Sequence, residues 1–154
     1  MTARPQPDPA LPLEAASPGA GTAAASAAVA AGGVVGSLGR WALGLALPHP
    51  AGGMPWATFC VNVSGAFLAG LVITTIVGRR GSHPLLRPAL VVGVLGGWTT
   101  FSAFMFDAHQ LAGHGRSGLA LAYLLGSLAL GLIAAGAGAA LAQRLIGAGA
   151  GERR

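Results

Sequence analysis

Gly93 to Phe104 read G-V-L-G-G-W-T-T-F-S-A-F, inside an apolar stretch, Ala89 to Phe106, that carries no charge before Asp107. Length and composition call for a transmembrane helix here, yet the residues resist one. Glycine loses the most backbone entropy in a helix, and threonine is stiff at χ1. Inside a bilayer, backbone that leaves the helix must find partners for its N–H and C=O groups within the protein. The stretch therefore predicts a third span broken near Gly96. Such a break offers carbonyls, hydroxyls and ring edges to something other than lipid.

The sequence on either side also suits a membrane. Hydrophobic residues make up 53% of the chain and charged ones 8%, too few charges for the water-facing surface of a soluble domain. No charge falls between Arg40 and Arg79, between Arg87 and Asp107, or between Arg116 and Arg144. A helical crossing needs ~20 apolar residues, so each gap holds one span. The spans read as Trp56 to Val77, Ala89 to Leu111 and Leu119 to Ile146, with a first at Ala27 to Leu47 that contains Arg40. The prediction is an all-α integral membrane protein with four transmembrane helices, in one membrane domain over 27–147. Residues 1–26, rich in Ala and Pro, read as a disordered tail, and 148–154 as a short basic one. Small residues along the spans, among them Gly32, Gly36, Gly65, Gly93, Gly126 and Gly131, predict close helix packing.

The formal charge of +5 comes from arginine alone. The arginines scatter to helix ends and form no nucleic-acid patch. Four spans put both termini on one side with Arg4, Arg79, Arg80, Arg87, Arg144, Arg153 and Arg154, leaving Arg116 opposite. The positive-inside rule makes the first side cytoplasmic, and the expected location is the plasma membrane. Single Cys60 permits no intrachain disulfide.

Polar residues within spans are functional candidates because lipid burial is costly for them. Here they are Arg40, Thr58, Asn62, Ser64, Thr74, Thr75, Thr99, Thr100, Ser102, Tyr123 and Ser127. Each also has a structural reading. Asn62 could tie two helices together, Arg40 could snorkel to an interface, and Phe101 and Phe104, sharing a helix face, could be packing. Taken together, the spans hold donors, hydroxyls and phenyl rings without a central carboxylate. Phenyl edges are electropositive, and amide and hydroxyl groups can replace an ion's hydration shell. That chemistry suits a small, hard anion.

Four pieces, one per span, carry a family resemblance: G-G-V-V-G-S-L-G-R at Gly32 to Arg40, T-F-C-V-N-V-S-G-A-F at Thr58 to Phe67, G-G-W-T-T-F-S-A-F at Gly96 to Phe104, and Y-L-L-G-S at Tyr123 to Ser127. With them the chain resembles the Fluc fluoride channels, also called the CrcB family. The resemblance implies passive fluoride export by an antiparallel dimer with two pores at its interface. It implies an anion path past Asn62, Phe101, Phe104, Ser102 and Thr100, with a polar track beginning at Tyr123 and Ser127. It also implies a structural, non-transported sodium ion on the dimer axis, held by the backbone carbonyls of Gly96 and Thr99, with Arg40 structural or beside the pore. The chain departs from the family pattern at Gly131, which shortens the polar track, at Ala103 and at Asp107. The arginine bias predicts one-way insertion and pairing with an oppositely biased homologous subunit.

The alternative is a small proton-coupled exporter, which needs a carboxylate of raised pKa within the membrane. Only Asp107, at a span's edge, could serve. An enzyme is not expected, because no metal-ligand cluster or nucleophile–base pair occurs in the spans.

Overall fold

The computed structural model describes residues 20–78 and 83–151. Most of the expected tail and five arginines of the orientation argument (Arg4, Arg79, Arg80, Arg153, Arg154) lie outside the described residues. The described residues are helical, in the order α1 (Ala20–Ala46), α2 (Trp56–Gly78), a π-helix (Pro88–Leu95), α3 (Gly96–Trp98), α4 (Phe101–Gly113) and α5 (Ser117–Gly151). Four segments are long and apolar enough to cross a membrane, with Pro88–Gly113 forming the third. In each, only 11% of the most apolar window is buried inside the chain. Large side chains such as Val35, Trp41, Leu128 and Leu132 point outward, as a lipid-facing surface requires.

Helix α1 starts at Ala20, inside the stretch expected to be tail. Alanine is the best helix former, so an Ala-rich run there extends the helix. Helix α5 continues past Ile146 to Gly151, into the expected basic tail. Its 35 residues span about 52 Å at ~1.5 Å per residue, more than the ~30 Å hydrocarbon core. Between α1 and α2, Gly52 turns at φ 71°, a conformation that costs glycine little.

Two close pairings organise the bundle. Helix α1 packs on the π-helix and α3, and α2 packs on α5. In the first, a Cβ on Gly32 would run into the Ala89 carbonyl and one on Gly36 into the Val94 carbonyl. Gly93 in turn faces the Val29 carbonyl and Gly97 the Gly33 carbonyl. In the second, Gly70 abuts the Ala135 carbonyl and Gly138 the Phe67 carbonyl. Small residues thus bring backbones into contact. Gly126 and Gly131 differ from that expectation, since nothing within the chain comes within 4 Å of a Cβ at either. A small buried cluster of Ala108, Leu111, Ala120 and Tyr123 joins α4 to α5.

Candidate functional site

The third span changes direction one turn later than expected. Gly96 is helical, at φ −64° and ψ −35°. The residues out of helical geometry are Thr99 (φ −78°, ψ 160°) and Thr100 (φ −151°, ψ 123°). Gly97 stays helical because it packs flat on the Gly33 carbonyl of α1, a contact that any side chain would block. Downstream, Thr100 caps α4, its Oγ1 accepting from the Ala103 N–H at 3.2 Å. A threonine hydroxyl at this position meets one of the free donors of a helix start.

Asn62 of α2 closes on the extended residue from the side. Its Nδ2 donates to the Thr100 carbonyl at 2.9 Å, and its Oδ1 accepts from the Thr100 N–H at 2.9 Å. The side-chain amide pairs with the backbone as a neighbouring strand would. One amide hydrogen of Asn62 remains beyond this pair.

The pairing changes the carbonyls. In a continuous helix the Thr100 N–H would donate to the Gly96 carbonyl and the Ala103 N–H to the Thr99 carbonyl. Both donors are turned to side chains instead, Asn62 Oδ1 and Thr100 Oγ1. Gly96 and Thr99 thus lose their regular helical donors. Their side of the bundle is open: Gly96, Thr99, Thr100, Asn62, Gly65 and Phe101 line a cavity of about 390 Å³.

Other anchors surround the turn. Arg40 does not merely reach for an interface; its Nε donates to the Gly97 carbonyl at 3.0 Å. Trp98 Nε1 donates to Ser64 Oγ at 3.0 Å. Thr99 Oγ1 returns to the Leu95 carbonyl at 2.9 Å, and its methyl occupies the notch left by Gly65.

The ring pair follows directly. Phe101 and Phe104 have centroids 6.1 Å apart. Phe101 is 75% exposed, whereas Phe104 leans on Tyr123 at 5.0 Å. Tyr123 and Ser127 are buried. Among the described residues their hydroxyls, and Asp107 Oδ2, have no hydrogen-bond partner. Ser102 Oγ lies 3.3 Å from Thr100 Oγ1 on the exposed side. Asn62, Thr99, Thr100, Ser102 and Phe101 therefore gather at one place, Phe104 and Tyr123 continue from it between α4 and α5, and Ser127 is buried one turn further along α5.

The sequence marks no role for Trp98, and it places Gly65 only among the packing residues and Ser64 only among the polar ones. A signal existed for Trp98, because an indole N–H within a span needs an acceptor. Nothing local named Ser64 as that acceptor. Among the described residues, no group of three or more His, Cys, Asp or Glu is placed to hold a metal ion. That finding concerns side chains and leaves carbonyl ligation untouched.

A model of the family described as "CrcB-like protein, Camphor Resistance (CrcB)" matches residues 27–139. Among curated proteins, the "Fluoride-specific ion channel FluC" of Rhizobium meliloti (strain 1021) is 44% identical over 119 residues, covering 77% of this chain and 95% of that one. "Fluoride-specific ion channel FluC 2" of Thermobifida fusca (strain YX) is 47% identical over 122 residues, with 77% and 90% covered. "Fluoride-specific ion channel FluC 3" of Streptomyces avermitilis is 46% identical over 117 residues, with 76% and 57% covered.

Proposed function

The chain belongs to the CrcB family, a family of multi-pass ion channels and not of enzymes, and from that premise we propose that it is a fluoride-specific channel that exports fluoride passively and lowers its cytoplasmic concentration. One observation carries the reading. The Asn62 amide, the extended Thr99–Thr100 backbone and the Phe101 ring meet at one cavity edge, with the Phe104 ring 6.1 Å from that of Phe101, in a chain whose relatives bear the fluoride-channel name.

The proposed path runs past the remaining Asn62 amide hydrogen, the hydroxyls of Thr100 and Ser102, and the ring edges of Phe101 and Phe104. It then follows Tyr123, whose hydroxyl has the Thr58 side chain beside it, and Ser127, whose buried hydroxyl has no protein partner among the described residues. An unpartnered buried hydroxyl costs free energy, and a passing anion or its water would offset part of that cost. Phe101, so exposed for a large apolar ring, suits a wall completed by a second subunit. The family resemblance supplies the rest of the proposed assembly, an antiparallel dimer with two pores at its interface. Its partner is a second copy or a homologous subunit of opposite bias. In the predominant orientation both termini face the cytoplasm across the plasma membrane.

Sodium fits the same place. The Gly96 and Thr99 carbonyls lack their regular helical donors, and both residues line the open cavity. Oxygen ligands suit a hard cation, and carbonyls from both subunits would hold the ion on the dimer axis. When bound, sodium supplies fixed positive charge beside the anion path.

Weak-acid chemistry explains the need. Neutral hydrogen fluoride crosses lipid and ionises in a more alkaline cytoplasm, where the anion is trapped by the cost of placing charge in hydrocarbon. An interior-negative potential drives it out through a passive pore, at ~2.3 kcal/mol per 100 mV.

Purified chain in liposomes, loaded with fluoride and read with a fluoride electrode, tests the reading. Efflux driven by the fluoride gradient alone, with proton gradients collapsed, is expected. No efflux from the chain either alone or co-reconstituted with its oppositely biased homologue, or efflux only with a proton gradient, overturns it.

A further inference from the structure

We propose that Trp98 and Ser64 form a brace that positions the backbone of the third span, with neither residue in the anion path. Its consequence for flux rests on the channel reading above; its consequence for the backbone does not.

Hydrogen-bond bookkeeping fixes the direction of the link. An indole N–H can only donate, and a serine hydroxyl has a single proton. Ser64 directs that proton to the Cys60 carbonyl at 2.6 Å, so its oxygen is free to accept from Trp98 Nε1 at 3.0 Å. The result is a one-way chain, Trp98 to Ser64 to Cys60, whose links polarise each other.

The ring is also wedged in place. A Cβ on Gly39 of α1 would come 2.8 Å from Trp98 Cζ3, and one on Gly65 of α2 would come 3.2 Å from Cδ1. The indole therefore bridges α1 and α2 through gaps that only glycine leaves. It does so one residue before Thr99, where the backbone leaves helical geometry. Gly97 is tied to Arg40, Trp98 to Ser64 and Thr100 to Asn62. Among the described residues Thr99 bonds only back to Leu95, so the direction of its carbonyl depends on its braced neighbours.

The chain of donors predicts an asymmetry. Ser64→Ala leaves a part-buried indole N–H without its acceptor, whereas Trp98→Phe leaves Ser64 satisfied by Cys60. An unpaired buried donor costs more than a bond whose two partners are both removed. The Ser64→Ala/Trp98→Phe double variant should then behave better than Ser64→Ala alone.

Hydrogen–deuterium exchange of the full chain in lipid nanodiscs, paired with fluoride efflux from liposomes, tests the brace. Ser64→Ala is expected to speed exchange across 96–104 and to lower flux on the order of tenfold. Trp98→Phe should do both to a smaller degree, and the double variant should return to the Trp98→Phe level. Exchange where Gly70 and Gly138 cross, and fluoride-over-chloride selectivity, should stay as in the wild type. If Ser64→Ala does not fold, Trp98→Phe decides by the same exchange readout. Wild-type exchange across 96–104 in every folded variant overturns the brace. A wild-type chain that passes no fluoride, alone or with its oppositely biased homologue, overturns the channel reading instead, and exchange still decides the brace.

Discussion

Helix α2 takes part in two contacts that are held by opposite means. On one side it crosses α5 with backbone against backbone, Gly70 on the Ala135 carbonyl and Gly138 on the Phe67 carbonyl. On the other it meets the third span through side-chain hydrogen bonds, Asn62 to Thr100 and Ser64 to Trp98. The crossing gains from close van der Waals approach and has no room for an added atom. The polar contact holds backbone out of a helix, which in lipid requires that the freed groups find partners. One side fixes the bundle; the other shapes it for an ion.

The largest effect is expected at the crossing. Gly138→Val would drive a side chain into the Phe67 carbonyl. Overpacking typically costs about 1–3 kcal/mol, and more here because the obstacle is backbone. Loss of monodisperse protein in size-exclusion chromatography is the expected outcome. Gly136 sits half a turn away with nothing within 4 Å of its Cβ. Gly136→Ala should therefore be neutral, or stabilising by up to ~1 kcal/mol through helix propensity. If both variants behave alike, the crossing is not as close as described.

The ring pair comes next, and it separates packing from conduction. Phe101→Ile and Phe104→Ile keep much of the volume and should each cost under ~1.5 kcal/mol. Phe104 should cost more because it leans on Tyr123, whereas Phe101 is mostly exposed. Both should lose fluoride flux while remaining folded, because an aliphatic chain has no electropositive rim. Near-wild-type flux in both variants would return the rings to a packing role.

The smallest effect is expected at Thr99. If its carbonyl is the ligand, Thr99→Ala removes a hydroxyl bonded to Leu95 and a methyl in the Gly65 notch, and leaves flux within a few-fold of wild type. Replacing sodium by a large organic cation during reconstitution should lower flux in wild type and variant alike. Full flux without sodium would remove the cation from the account.

Much of this was legible in the sequence, and what escaped has physical causes. Charge gaps mark three of the four spans because lipid excludes charge over a fixed length, and apolar composition alone marks the first, which carries Arg40. The irregular third span shows in its glycines and threonines, but its extended residues are Thr99 and Thr100 and not Gly96. Glycine propensity points to Gly96, whereas the decisive pull on Thr100 comes from Asn62, which is distant in the chain. The same non-locality hid the Arg40 bond to Gly97 and the acceptor for Trp98. The start of α1 at Ala20 was hidden for another reason: a low-complexity Ala-rich run resembles a tail in composition, while alanine itself favours helix. The π geometry of Pro88–Leu95 left no mark that single-residue preferences could register.

The central claim is that Asn62 both shapes the third span and faces the ion. Asn62→Asp tests it most directly, because the carboxylate has nearly the same shape. Its oxygen can still accept from the Thr100 N–H, but it sets negative charge against the Thr100 carbonyl and against any anion nearby. Measured by fluoride electrode on liposomes with equal amounts of folded protein, Asn62→Asp should abolish efflux that the wild type shows. Efflux at the wild-type rate from the folded Asn62→Asp protein would contradict the account.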